Sequence, residues 1–223
     1  MKAKFLPLLA LLALPVAAPA APSAEALERR ARSNERLAAE SVAVPADLPV
    51  TPDSTAVKLR TKEQIVQRAV AVCLTSIKAE RMDMEKVEDL VKYYKAKKFF
   101  TPEETEFIEN AASSNEEQNK YLWRYEGLAV LMWSLGYLDT LPRPDNAVEV
   151  KQVVTPLSQR TLEQFTADAK VRTTAEILDQ ADLIYRYQWA INDARKRGKS
   201  APAGLDRGIA QQRENMLNWL IGR

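Results

Sequence analysis

Along most of the chain apolar residues recur three and four positions apart, and no stretch keeps up the strict apolar/polar alternation of a half-buried strand. The spacing predicts a mainly α protein. Its densest segment runs from Asn115 to Leu135, apolar on nearly every side between Leu128 and Leu135, with Gly136 placed to end the helix. A second long helix is predicted over Thr174 to Lys196, closed by Gly198. At 100° per residue it sets Leu178, Asp182, Arg186, Trp189 and Asp193 on one stripe, with Leu183, Ile184, Tyr187, Ile191 and Ala194 opposite. A helix with two coverable faces is central. Asp182 and Arg186, one turn apart, must then find partners or incur a desolvation penalty of several kcal/mol per ion.

Capping signals frame the shorter helices. Thr61-Lys-Glu-Gln64 precedes Ile65, Ala69, Val72 and Ile77, Asp83 precedes Met84, Val87, Val91 and Tyr94, and Thr173-Thr-Ala-Glu176 opens the charged central helix. Thr101-Pro-Glu-Glu104 combines a capping threonine, proline at the first helical position and glutamate at the third, which predicts a helix from Pro102 to about Ala112. Leu157 to Ala169 reads as a modest helix. A last one starts near Asp206 and carries Ile209, Met216, Leu217, Trp219 and Leu220. Between them, Val148, Val150, Val153 and Val154 among prolines suggest one short strand or irregular packed segment around 146–156. The expected architecture is a single compact multi-helix domain over 61–223 with two central buried helices. An arm and proline-rich connector at 21–60 precede it, with a helix over Ala24 to Val42.

Residues 1–20 read differently. Lys2 and Lys4 precede the apolar run Leu6 to Val16, and Ala18-Pro-Ala20 supplies the small residues of a cleavage site, so a secretory signal cut near Ala20 is expected. The run is too short to span a bilayer, and no cysteine follows it for lipid attachment. An exported protein, periplasmic or extracellular and without a stable membrane anchor, is the reading. Removing the segment discards Lys2 and Lys4 and no acid, leaving 30 basic residues against 30 acidic. A nucleic-acid partner is disfavoured by that balance.

Cys73 is the only cysteine, so no intramolecular disulfide forms, and its apolar neighbours Val72 and Leu74 mark it as a buried thiol. The chain has no histidine. Ser-His-Asp and Cys-His nucleophile pairs, His-ligated zinc and histidine acid/base chemistry are thereby excluded within this polypeptide. No glycine-rich phosphate loop or metal-ligand spacing is visible, and neither a cofactor nor a metal is expected.

Several segments together resemble a known family: Trp123-Arg-Tyr-Glu-Gly-Leu-Ala-Val-Leu-Met-Trp-Ser-Leu-Gly136, Ala175 to Ala190, Pro202-Ala-Gly-Leu205 and Leu217-Asn-Trp-Leu-Ile221. They are similar to the uncharacterised bacterial domain of unknown function 4272, over about Leu27 to the end. The resemblance implies no reaction or ligand. The family pattern favours histidine where Gln188 stands and Glu-Arg-His where this chain has Gln212-Arg-Glu214.

Three polar groups mark candidate chemistry: Arg124 with Glu126, the stripe Asp182, Arg186 and Asp193, and Arg213 with Asn218. As a structural network they neutralise one another inside the bundle. As a ligand-binding cleft, Arg186 and Arg213 offer guanidinium forks to a small ligand or to a partner's carboxylate. As a histidine-free hydrolase, Glu126, Asp182 or Asp193 supply an acid and a base, one with a raised pKa. Trp123, Trp133, Trp189 and Trp219 all fall in predicted helices and read as core packing.

Overall fold

The computed structural model describes residues 21–223; the expected export segment, 1–20, lies outside the described residues. Helices follow in the order α1 (Ala24–Ala39), α2 (Lys62–Ala79), α3 (Met84–Tyr93), α4 (Pro102–Glu109), α5 (Asn115–Leu122), α6 (Tyr125–Ser134), α7 (Val150–Ser158), α8 (Leu162–Asp168), α9 (Thr174–Lys196) and α10 (Arg207–Leu220). Short 3₁₀ turns occupy Ser54–Ala56, Ala96–Phe99 and Pro202–Gly204.

Local chemistry explains the helix starts. Thr61, Thr101 and Thr173 each accept the N–H of the residue three on, and Gln64, Glu104 and Glu176 reach back to the capping N–H. Ser114 with Glu117 and Thr161 with Gln164 form the same box. Asp83 and Asp206 cap α3 and α10 through their carboxylates. At the other end of α6, Gly136 adopts φ +79°, and a Cβ there would lie 2.8 Å from the Lys170 carbonyl oxygen, so glycine is required twice over. The chain at 170–172 closes that end: Lys170 N–H donates to Leu135 O at 2.8 Å and Arg172 N–H to Ser134 O at 2.9 Å.

Three expectations change. The helix predicted over Asn115 to Leu135 is two helices, because Trp123 and Arg124 tighten into 3₁₀-type bonding, Arg124 N–H to Tyr121 O and Glu126 N–H to Trp123 O. The segment around 146–156 forms no strand, nor does any other part of the described residues. Val150, Val153, Val154 and Leu157 hold helical spacing and become α7 even though Pro156 lies inside it. The helix expected over Leu157 to Ala169 splits around Thr161, whose capping box starts α8.

The domain is all helical. Every residue of α6 is buried; the helix packs between α2 and α10, while α9 packs between α10 and α1. The α2 run Val66 and Ala69 to Ser76 is also inside, so α2 joins the two expected central helices. Gly127 lets α10 come close to α6, since a Cβ there would meet Met216 Cε at 3.1 Å. Cys73 sits in this core, and burial pushes its thiol up to about 12, which leaves it uncharged and inert.

Candidate functional site

Two buried carboxylate–guanidinium clamps hold the centre. Arg186 is one turn after Asp182 on α9, and its Nε and Nη2 donate to Asp182 Oδ2 and Oδ1 at 2.7 and 3.0 Å. Neither side chain is exposed, at 0 % for both. Arg186 Nη2 also donates to Pro49 O at 3.3 Å, so the connector helps close the pair, while Nη1 stays buried without a partner. The second clamp crosses between helices: Arg213 of α10 donates through Nε and Nη2 to Glu126 Oε2 of α6, at 2.9 and 2.8 Å. Glu126 Oε1 accepts the Val148 N–H at 2.8 Å, which ties down the segment before α7, and Arg213 Nη1 holds Pro142 O.

Each clamp is closed on itself. Glu126 and Asp182 hold separate guanidiniums, and both arginines are inside the protein. Arg124 turns away from its expected neighbour Glu126: together with Arg68 it holds Glu104, a buried carboxylate of α4. Burial would raise the Glu104 pKa, but the Arg68 hydrogen bond and charge, the Thr101 N–H and Arg124 outweigh it and keep the carboxyl below its ordinary range. Asp193 is half-buried and pairs with Arg197 one turn on. Asn218, half-buried in α10, joins neither clamp through its side chain.

Other fixtures have little sequence signal. Arg29 of α1 is 1 % exposed and binds Asp179 of α9, Glu25, Thr51 Oγ1 and Pro52 O. Thr51 in turn faces Asp182 at 3.5 Å, so the arm is stitched onto α9 by polar bonds. Arg172 caps the end of α6, donating to the carbonyls of Trp133, Leu138 and Asp139 with its guanidinium 4.8 Å from the Trp133 ring. These long-range partners carry no periodicity that a sequence would display.

The tryptophans divide. Trp133 is buried as expected, Trp189 and Trp219 are half-buried, and Trp123 is 45 % exposed, contrary to its expected core role. The cause is the α5–α6 junction, which turns Trp123 outward and lays its ring against Gly208.

An open groove of about 260 Å³ runs between α9 and α10, lined by Tyr185, Gln188, Trp189, Asn192, Asp193, Lys196, Gln211 and Glu214. Gln188 is only 4 % exposed, and its Nε2 donates to Gln211 Oε1 at 2.6 Å, while Gln211 donates to Asn215. Its Oε1 is sealed from solvent and has no donor. Glu214 faces the same groove with no ion pair among the described residues, and burial pushes its pKa up. Gln188 and Glu214 thus line one groove. Gln188 Oε1 without a donor and Glu214 without an ion pair leave two acceptors of this groove unmatched by the protein.

Among the described residues no group of three or more His, Cys, Asp or Glu side chains is arranged to hold a metal, and no helix is long and apolar enough to cross a membrane. No curated protein and no solved structure matches the chain. A family model does: the one described as Domain of unknown function (DUF4272) matches residues 29–223, and the chain belongs to that family.

Proposed function

We propose that this is an exported, non-catalytic binding protein whose ligand seat is the α9/α10 groove. The observation that carries the reading is that the unpartnered Gln188 Oε1 of α9 and the unpaired Glu214 of α10 belong to one groove. Buried acceptors without donors are costly, and they gather where a ligand supplies the missing groups. The ligand they suit is small and rich in donors, such as a polyol or an amine, with Trp189 and Tyr185 offering ring faces. A groove of about 260 Å³ lies just under the roughly 300–1,000 Å³ of drug-sized sites, which favours a single small unit. Arg186 and Arg213, once the groups proposed to receive a carboxylate, serve in this reading as the clamps that keep the groove walls in place.

The test is saturation-transfer NMR of the protein with separate panels of monosaccharides, polyols and small amines, repeated on Gln188→Leu. Binding of a donor-rich compound that the variant loses supports the seat; binding unaltered by Gln188→Leu, or none in any panel, refutes it. Export is tested separately by the mass of protein recovered outside the cytoplasm, which should correspond to a chain beginning near Ala21. A full-length mass there would remove the cleaved signal from the reading.

A second reading is a histidine-free hydrolase. It is favoured by one fact, that Asp193 and Glu214 line the same groove, the first beside Arg197 and the second with a raised pKa. A carboxyl raised by burial suits a general acid, and Asp193 is the second carboxylate of the groove. Loss of glycoside or ester turnover in a Glu214→Gln variant that stays folded would support it; absence of turnover in the parent protein would sink it.

A further inference from the structure

A different groove, of about 300 Å³, lies where α5, α6 and the segment before α7 meet, lined by Glu80, Leu122, Trp123, Tyr125, Glu126 and Val148. Three of its features are unusual for a bland cleft. Trp123 presents an exposed indole that is nonetheless held in place, because its ring packs so closely on Gly208 that a Cβ there would come within 3.1 Å. Tyr125 is 5 % exposed, and its hydroxyl is sealed from water and faces the Glu80 carboxylate without completing a well-formed hydrogen bond. Burial, and then the nearby Glu80 carboxylate, push that phenol's pKa up.

Charge points one way. No lysine or arginine lines the groove, and Glu80 forms no ion pair among the described residues. Glu80 also sits at the C-cap of α2, where the last carbonyls of the helix add partial negative charge. Arg81 is the nearest base in sequence, and it reaches away to Asn115 in the neighbouring hollow. Glu126 is already neutralised by Arg213. An indole face, a carboxylate with no ion pair, a tyrosine hydroxyl beside it and apolar walls are the parts from which sites for alkylated ammonium groups are made.

We propose that this groove binds an organic ammonium group, with the cation on the Trp123 ring, the Glu80 carboxylate opposing it, and Leu122 and Val148 covering its methyl groups. The site is independent of the α9/α10 groove and stands or falls without it.

Choline and its uncharged carbon isostere, 3,3-dimethyl-1-butanol, separate cation recognition from simple burial of methyl groups. In a two-dimensional NMR titration of the intact protein, choline should move the Trp123 indole signal to saturation. The isostere should bind at least about tenfold more weakly, the size expected for losing one desolvated cation–π contact. Glu80→Gln and Trp123→Ala, both at exposed positions, should each weaken choline about tenfold, whereas Gln188→Leu should leave it unaltered. Equal binding of choline and the isostere, absence of a saturable shift, or variants that bind as the parent does would each overturn the proposal. Circular dichroism of both variants establishes that the fold is retained, and Glu80→Gln keeps the test decisive should Trp123→Ala unfold.

Discussion

Arg213 places both Nε and Nη2 on a single oxygen of Glu126, at 2.9 and 2.8 Å, across the α6/α10 interface and out of reach of solvent. The second carboxylate oxygen is used by the Val148 N–H, so the acid is fully engaged. Arg213→Met would leave it buried with one donor. An uncompensated buried charge of this kind costs about 3–5 kcal/mol, whereas replacing both partners by apolar residues of similar volume is often neutral. Urea denaturation should therefore show a large loss in Arg213→Met that the double variant Glu126→Leu/Arg213→Met largely recovers. A loss under about 1 kcal/mol in the single variant would mean that water reaches the clamp.

Asp182→Asn tests the α9 clamp. The amide keeps the shape and removes the charge that faces Arg186, and it disturbs Thr51 and through it Arg29 of the arm. The expected loss is about 3 kcal/mol or more, with α1 released first. Hydrogen exchange would read this as early loss of protection over Ala24–Ala39. An unchanged midpoint would refute the structural role of the clamp.

Gly136→Ala combines two penalties. The residue holds φ +79°, which costs an L side chain roughly 1–2 kcal/mol, and its Cβ would press on the Lys170 carbonyl oxygen, a backbone atom with little freedom to move. Thermal unfolding should report a loss of about 2 kcal/mol or more. A neutral result would show that the 170–172 chain can peel from the end of α6.

What the sequence displayed well was whatever is local. The boxes at Thr61, Thr101 and Thr173, and the glycines that stop α6 and α9, are decided by side chains within four residues of each other, and all stand where the pattern placed them. The break at Trp123–Arg124 was hidden because both residues keep near-helical backbone angles and no glycine or proline marks the place. Ser76 Oγ donates to Tyr121 O just before it, and Arg124 leaves for Glu104, so the turn is fixed from α2 and α4. At α7 the opposite error operates: the prolines around it suppress a helical reading that Val150, Val153, Val154 and Leu157 support. For the site, periodicity found the buried Asp182 and Arg186. The partner of Glu126 lies 87 positions away and the groove depends on which faces of α9 and α10 meet, neither of which spacing can encode.

Glu214 offers a test whose sign is opposite to that of Glu104. Burial raises its folded-state pKa above the ordinary 4.5, with no charge or hydrogen bond to offset it. Between 4.5 and that higher value the folded protein holds more protons at this site than the unfolded chain, so stability falls as pH rises through the window. At neutral pH the ionised carboxyl is therefore a liability, and below pH 4.5 the liability is gone. Glu214→Gln imitates the protonated form. The variant should melt at a higher temperature than the parent near pH 7, with the gain shrinking as the pH is lowered and vanishing once both states of the parent are protonated. Glu104→Gln should behave in reverse: its carboxyl is held low by Arg68 and Arg124, so the parent has the advantage at neutral pH and loses it in acid. Should Glu214→Gln destabilise at neutral pH, the carboxylate would have a partner in solution, and the excess of acceptors on which the α9/α10 seat rests would be gone.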